Sequence, residues 1–195
     1  MARFVIGITG ASGSIYGIRL VEELLKRGNE VNLLVTENGE KVIKYERGLD
    51  REELLGYLKK FSIREEDFKY YDIHEMFAPI ASGSFKADGM VIIPCSMSTV
   101  AFIAGGMSHN LMQRAADVFL KEKRKLIIVP RETPLSSLHL ENLLKLSKMG
   151  ALILPAMPAF YHAPESIDDM VNFIVGRVLD SLDIPNELYK RWKGV

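Results

Sequence analysis

The chain has 195 residues, enough for one domain with a full core, and its 25 Lys and Arg balance 25 Asp and Glu. With no net charge, nothing draws it broadly to nucleic acid or to an anionic membrane. The single cysteine, Cys95, excludes an internal disulfide framework and suits a reducing cytoplasm.

The opening Met1–Gly7 enters a strand pattern at once, and its apolar part is too short for a cleaved signal. No later run reaches membrane-spanning length. The expectation is a cytoplasmic protein without membrane or nucleic-acid partners. Near-zero charge also leaves little repulsion between copies, which favours a homo-oligomer.

Arg3–Thr9 reads as a first strand, and Ile15–Lys26 as a helix turning Leu20, Val21, Leu24 and Leu25 inward, closed by Gly28. Val31–Val35 is a second strand. Asn38–Tyr45 and Arg51–Lys60 have helical character, the latter charged and exposed. Met90–Ile93 is a strand that Pro94 should stop, and Leu111–Lys123 a helix. Leu126–Val129 is the next strand, then a helix over Leu138–Met149 ended by Gly150. Ala151–Leu154 is a last strand and Ile167–Leu182 a last helix, opened by the capping-box-like Ser166 to Asp169. This alternation predicts α/β structure in three layers, a parallel sheet with helices on both faces and right-handed crossovers. No repeat or linker divides the chain, so residues 1–195 are expected to form one domain. Asp50–Asp72 is an excursion from the core, and from about 183 the chain becomes an arm, ending Tyr189-Lys-Arg-Trp192, that would pack on a neighbour.

Chemistry-bearing residues fall where strands end. Thr9-Gly10-Ala11-Ser12-Gly13-Ser14 follows the first strand and opens a helix, so its N–H groups suit a nucleotide or flavin phosphate, with an ordinary tight turn as the alternative. Pro94-Cys95-Ser96-Met97-Ser98-Thr99 is a second ligand loop, or else plain capping by Ser98. Ala81–Phe85 is a third polar stretch. Arg131 and Glu132 land at the carboxyl end of the Leu126–Val129 strand, where open α/β sheets bind ligands; the alternative is a surface ion pair.

Arg114, Asp117 and Lys121 share a helical face, with Arg114–Asp117 a local ion pair. Arg177 interrupts an apolar helix, and Phe160-Tyr161-His162 sits in a Pro-braced loop. Cys95 reads as a small buried hydrophobe.

A nicotinamide dehydrogenase fits poorly, because Ser12 stands where G-x-G-x-x-G needs its second glycine, although Glu37 is placed to meet a ribose. A Tyr189-x-x-x-Lys193 spacing lies at the extreme C-terminus. His74, His109, His139 and His162 lack metal-ligand spacing.

Taken in order, Gly10-Ala-Ser-Gly13, Pro94-Cys-Ser96, Arg114-Ala-Ala-Asp117-Val, Leu120-Lys-Glu122, Val129-Pro-Arg-Glu132-Thr-Pro134, His139-Leu-Glu-Asn142 and Pro158-Ala-Phe-Tyr161-His resemble the flavin prenyltransferases of the UbiX type. The resemblance runs from the first strand through Trp192. It implies a Rossmann-like, flavodoxin-like subunit in a homododecamer, with sites where subunits meet. It implies transfer of a dimethylallyl group from dimethylallyl phosphate to N5 and C6 of reduced FMN, without a metal. The product, prenylated FMN, would serve UbiD-type decarboxylases.

Carried over by position, Gly10, Ala11, Ser12, Thr36, Ser96, Met97, Ser98, Thr99 and Arg131 would hold FMN. Lys121, Arg131, Tyr161 and Arg177 would surround the prenyl phosphate, and Glu46 and Glu132 match active-site carboxylates, with Lys121 and Tyr161 also taking part in catalysis. Thr36 replaces a Ser found in many relatives, and Glu46 lies in an undistinctive stretch. The competing readings are a flavin-dependent Cys-decarboxylase of similar fold, a nicotinamide reductase and a non-enzymatic flavin carrier.

Overall fold

The computed structural model describes residues 1–192 and 194, and Lys193, half of the Tyr189–Lys193 spacing, lies outside them. Six parallel strands are described: β1 (Arg3–Ile8), β2 (Glu30–Val35), β3 (Phe68–Tyr71), β4 (Gly89–Cys95), β5 (Leu126–Pro130) and β6 (Leu152–Ile153). They lie in the order β3-β2-β1-β4-β5-β6. The chain therefore winds outward from β1 in both directions, and the switch point falls between β1 and β4.

The strands are apolar on both faces because both are covered. On one face lie α1 (Ser14–Lys26), α2 (Glu37–Arg47), α3 (Arg51–Lys59) and α7 (Ile167–Ser181). On the other lie α4 (Met97–Ala104), α5 (Leu111–Lys121) and α6 (Ser137–Lys148). Leu20, Val21, Leu24 and Leu25 are fully buried, as the periodicity of the first helix requires. Among the described residues no helix is long and apolar enough to cross a membrane.

Two local expectations change. Pro94 does not stop its strand: the sheet absorbs it with a register shift between Ile92 and Cys95, and Cys95 pairs with Pro130. The missing N–H goes unmissed because the Pro94 carbonyl is what the sheet uses, accepting from the Thr9 N–H at 3.2 Å. The Asp50–Asp72 excursion contains edge strand β3, whose Phe68 pairs with Val31. Within the subunit, Ile184, Leu188 and Tyr189 of the C-terminal segment pack beside α7.

Gly17 sets how closely α1 approaches the switch point. A Cβ there would strike the Ile93 carbonyl oxygen and the Ile8 side chain, both in the sheet. Gly17→Ala should therefore destabilise the protein by about 1–3 kcal/mol despite alanine's better helix propensity. Urea unfolding checks this; a variant as stable as the parent would show that α1 has room to move.

Candidate functional site at the sheet switch point

The site begins with Thr9, which is 1% exposed at the end of β1. Its hydroxyl donates to the Pro94 carbonyl and accepts from the Ser96 N–H, each at 2.8 Å. One side chain thus ties the loop after β1 to the loop after β4, where the flanking crossovers leave a crevice.

Into that crevice opens a cleft of about 440 Å³, within the size range of ligand sites. Gly10, Thr36, Ser96, Ser98 and Thr99 line it, as expected of flavin-holding residues. Asn38, Lys41, Phe102, Asn110 and Gln113 join them unforeseen. Asn38 and Lys41 sit on one face of α2, a signal readable only once that face is known to turn toward the sheet end. Ala11 and Met97 are buried beneath the loops rather than lining the cleft.

Ser96, not Ser98, caps α4, accepting from the Thr99 N–H at 3.4 Å. Its hydroxyl lies 3.1 Å from those of both Ser98 and Thr99. Thr36 caps α2, accepting from the Gly39 N–H at 3.0 Å.

The α1 N-terminus is filled by the chain itself. Gly13 at the N-cap offers no side chain, so the first helical N–H groups need another acceptor. Glu46, from α2, supplies it. Its carboxylate accepts from the Gly13 and Ser14 N–H groups at 3.0 and 2.9 Å, and from the Ser12 and Ser14 hydroxyls at 2.6 and 2.7 Å. Burial works to raise the Glu46 pKa, but these donors outweigh it and hold the carboxyl below its ordinary value.

Arg131 joins the same cluster, its Nε donating to the Ser12 carbonyl at 3.1 Å. Glu132 stands beside it, exposed, accepting from the Thr133 N–H at 3.0 Å. Arg131, Ser12 and Glu46 are thereby brought together at the cleft's end of the sheet.

The other expected residues stand elsewhere. Tyr161 packs edge-on against Phe173 of α7, with centroids 5.9 Å apart, and near Trp192 at 5.6 Å. Arg177 lies further along α7, its side chain 53% exposed. Lys121 closes α5 before β5 begins, whereas Arg131 follows β5. Five strand residues separate the two edges, roughly 17 Å by strand rise. In one subunit Lys121 is at the far end of the sheet from Arg131.

Other candidates have structural roles. Arg114 pairs with Asp117 at 2.9 Å and holds the Ala81 carbonyl at 3.1 Å, pinning the polar stretch to α5. Glu37 pairs with His74 at 3.0 Å. Cys95 is buried, and burial pushes its thiol pKa far up. Among the described residues no three His, Cys, Asp or Glu side chains are grouped to hold a metal.

The cleft suits a flavin mononucleotide. Lys41 and Asn38 at the start of α2 provide for a phosphate, Ser and Thr hydroxyls with Asn110 and Gln113 for a polar ring edge and polyol, and Val42 and Phe102 for apolar ring surface.

A doubly wound sheet with this cleft at its switch point defines a mononucleotide-binding α/β protein. The chain belongs to the flavoprotein family, whose model matches residues 1–179, and within it to the UbiX flavin prenyltransferases. The flavin prenyltransferase UbiX of Alkalihalophilus pseudofirmus is 55% identical over 190 residues, covering 96% of this chain and 94% of that protein. A crystal structure of AnUbiX (PadA1) in complex with FMN and dimethylallyl pyrophosphate is similar at TM-score 0.91 and 40% identity, covering 100% of this chain and 98% of that one. A dodecameric FMN-dependent UbiX-like decarboxylase from Escherichia coli O157:H7 is similar at TM-score 0.90 and 40% identity, covering 98% and 100%.

Because the Glu46 pKa is depressed on folding, its stabilising contribution is present above the ordinary carboxylate value and fades as pH falls through the folded one. Glu46→Gln should cost roughly 1 kcal/mol at neutral pH, a modest figure because the group is partly exposed. The gap between variant and parent should close below about pH 4. Urea unfolding at stepped pH measures it; a gap that widens in acid would contradict the capping role.

Proposed function

We propose that this protein joins the dimethylallyl group of dimethylallyl phosphate to N5 and C6 of reduced FMN, and that the prenylated FMN serves UbiD-type decarboxylases. The observation that carries this reading is the Arg131–Ser12–Glu46 cluster beside a hydroxyl-lined cleft at the switch point. The relatives' shared name and the flavin and allylic diphosphate bound together by AnUbiX support it.

When bound, reduced FMN supplies an electron-rich ring as the nucleophile. The chain's own groups do the rest. Gly10, Ser12, Thr36, Ser96, Ser98, Thr99 and Arg131 hold the flavin, with Ala11 and Met97 packed beneath their loops in support. Arg131, Lys121, Tyr161 and Arg177 surround the phosphate of the prenyl donor, stabilising it as its charge develops on departure. Cationic donors in this number take the part a metal plays in other prenyl transfers, which supports metal independence. The Tyr161 ring faces the allylic cation. Ring closure requires loss of a proton, accepted by Glu132 or by the released phosphate. Glu46 accepts from the Ser12 hydroxyl and so holds the loop after β1 in place beside the cleft.

Lys121 sits at the far end of its own sheet, so the complete site draws it from a neighbouring copy. The dodecameric state of the E. coli protein supports an assembly of that kind. Residues 1–195 act as one flavoprotein domain with an arm from about 183. The lone cysteine supports a place in the cytoplasm.

The direct test is anaerobic incubation of the protein with reduced FMN and dimethylallyl phosphate, followed by mass measurement of the extracted flavin. A five-carbon gain is expected; an unaltered flavin would refute the activity. Arg177→Ala or Lys121→Ala should slow transfer by about 10²–10³ while FMN is retained. Equal loss of flavin and turnover would refute this division of roles. Co-assembled Lys121→Ala and Arg131→Ala subunits should recover part of the activity each lacks alone, because some junctions then pair two intact halves. No recovery in mixed assemblies would place Lys121 in its own subunit's site.

A further inference from the structure

Two side-chain amides on the α5 wall of the cleft have their oxygens taken by the backbone. Asn110 caps α5, its Oδ1 accepting from the Gln113 N–H at 2.9 Å. Gln113 Oε1 accepts from the His109 N–H at 2.8 Å. A backbone N–H can only donate, so each bond fixes which end of the side chain is oxygen and leaves an NH2 group over. Gln113 is 6% exposed, yet it lines the cleft with Asn110. Among the described residues neither Asn110 Nδ2 nor Gln113 Nε2 donates a hydrogen bond. A buried amide with an idle donor is costly unless a ligand takes that donor. Among the described residues no Asp or Glu lines the cleft, so no acid there competes for the two groups.

Of the polar edges of an isoalloxazine, one matches a wall of donors alone. N1 and the C2 carbonyl oxygen are adjacent acceptors in both oxidation states. The edge from O2 to O4 places the N3 N–H between its carbonyls, and the edge from O4 to N5 gains an N–H on reduction. Two donors therefore suit N1 and O2, and suit them better in the reduced ring, where N1 carries negative charge.

We propose that Asn110 and Gln113 donate to the N1–O2 edge of FMN, favouring its reduced form and turning the opposite long side of the ring, with N5 and C6, away from α5. The inference rests on the reading that reduced FMN accepts the prenyl group, and deepens it by naming the residues that select the oxidation state. The ribityl chain leaves N10 on the same long side as N1, so its polyol stays among the Ser96, Ser98 and Thr99 hydroxyls of the cleft. The phosphate then falls to Thr36 and Lys41, on the other face of the sheet from α5. The edge that gains charge on reduction is held, and the atoms that must bond the allyl group are left open.

The test uses full-length protein with bound FMN. It reads the two-electron reduction potential and the pH at which the bound reduced ring takes a proton at N1. Asn110→Ser keeps an acceptor for the α5 cap and removes the donor, while Gln113→Glu keeps the acceptor for His109 and replaces the donor by a carboxylate oxygen. Each should cut the preference for reduced over oxidised FMN by about tenfold, the contribution of one charge-assisted hydrogen bond, which lowers the potential by about 30 mV. Proton uptake at N1 should move up by about one pH unit in the same variants. Unaltered potentials in both variants would overturn the inference; equal loss of affinity for the two oxidation states would then assign the amides to the ribityl chain or the phosphate. A lowered potential without a shift at N1 would also overturn it, because the donors would then face another edge. If Gln113→Glu does not fold, Asn110→Ser decides by the same readings. A parent protein that follows this pattern but never adds five carbons to reduced FMN would refute the proposed activity and leave the role of the amides standing.

Discussion

The hydrogen bonds of Thr9 are the constraint on which the site depends. A parallel sheet wound outward from one strand must splay its connections at that strand, and the splay alone would leave two independent loops. Thr9 couples them, donating to the last residue but one of β4 and accepting from the cap of α4. Because the residue is buried, neither bond competes with water, and the helix starting at Ser96 is registered against the loop starting at Gly10. The floor of the cleft follows from that registration, since Gly10 and the Ser96–Thr99 segment belong to the two loops that Thr9 joins, while α2 supplies the facing wall.

The chain is neutral overall, but its local charge is carefully placed. Arg131 at the carboxyl end of the sheet and Lys121 at the amino end are too far apart to serve one phosphate within a subunit. Tyr161, from the loop before α7, packs on Phe173 of that helix, and Arg177 lies further along it. A reaction that draws on all of them needs a junction between copies, and this gives the near-zero net charge a physical use. On the proposed reading, subunits without net repulsion would bring far-edge cations to a neighbour's cleft at little electrostatic cost.

Much of the fold was legible because each half of the chain repeats the same rhythm of apolar run, ligand loop and amphipathic helix. The buried face of α1 and the cap of α7 follow from periodicity and spacing alone. What was not legible depended on tertiary partners. Edge strand β3 carries Lys69 and two tyrosines in four residues, with only Phe68 buried, so little apolar signal marks it. Pro94 argues against a strand until the cross-strand use of its carbonyl is known. Lys41, Phe102 and Gln113 come from three helices and share a cleft only after the sheet aligns them. Glu46 is the sharpest case: its sequence neighbours are unremarkable, and its place is fixed by an empty N-cap 33 residues earlier.

Two carboxylates, Glu46 and Asp180, are saturated by donors of different kinds. Glu46 is neutralised by backbone N–H groups and two hydroxyls fixed in place by α1, donors that cannot leave without unwinding a helix. Asp180 is neutralised by side chains of a terminal segment, which departs far more readily than a helix turn. The first arrangement is therefore permanent, and the second is conditional on the arm being docked.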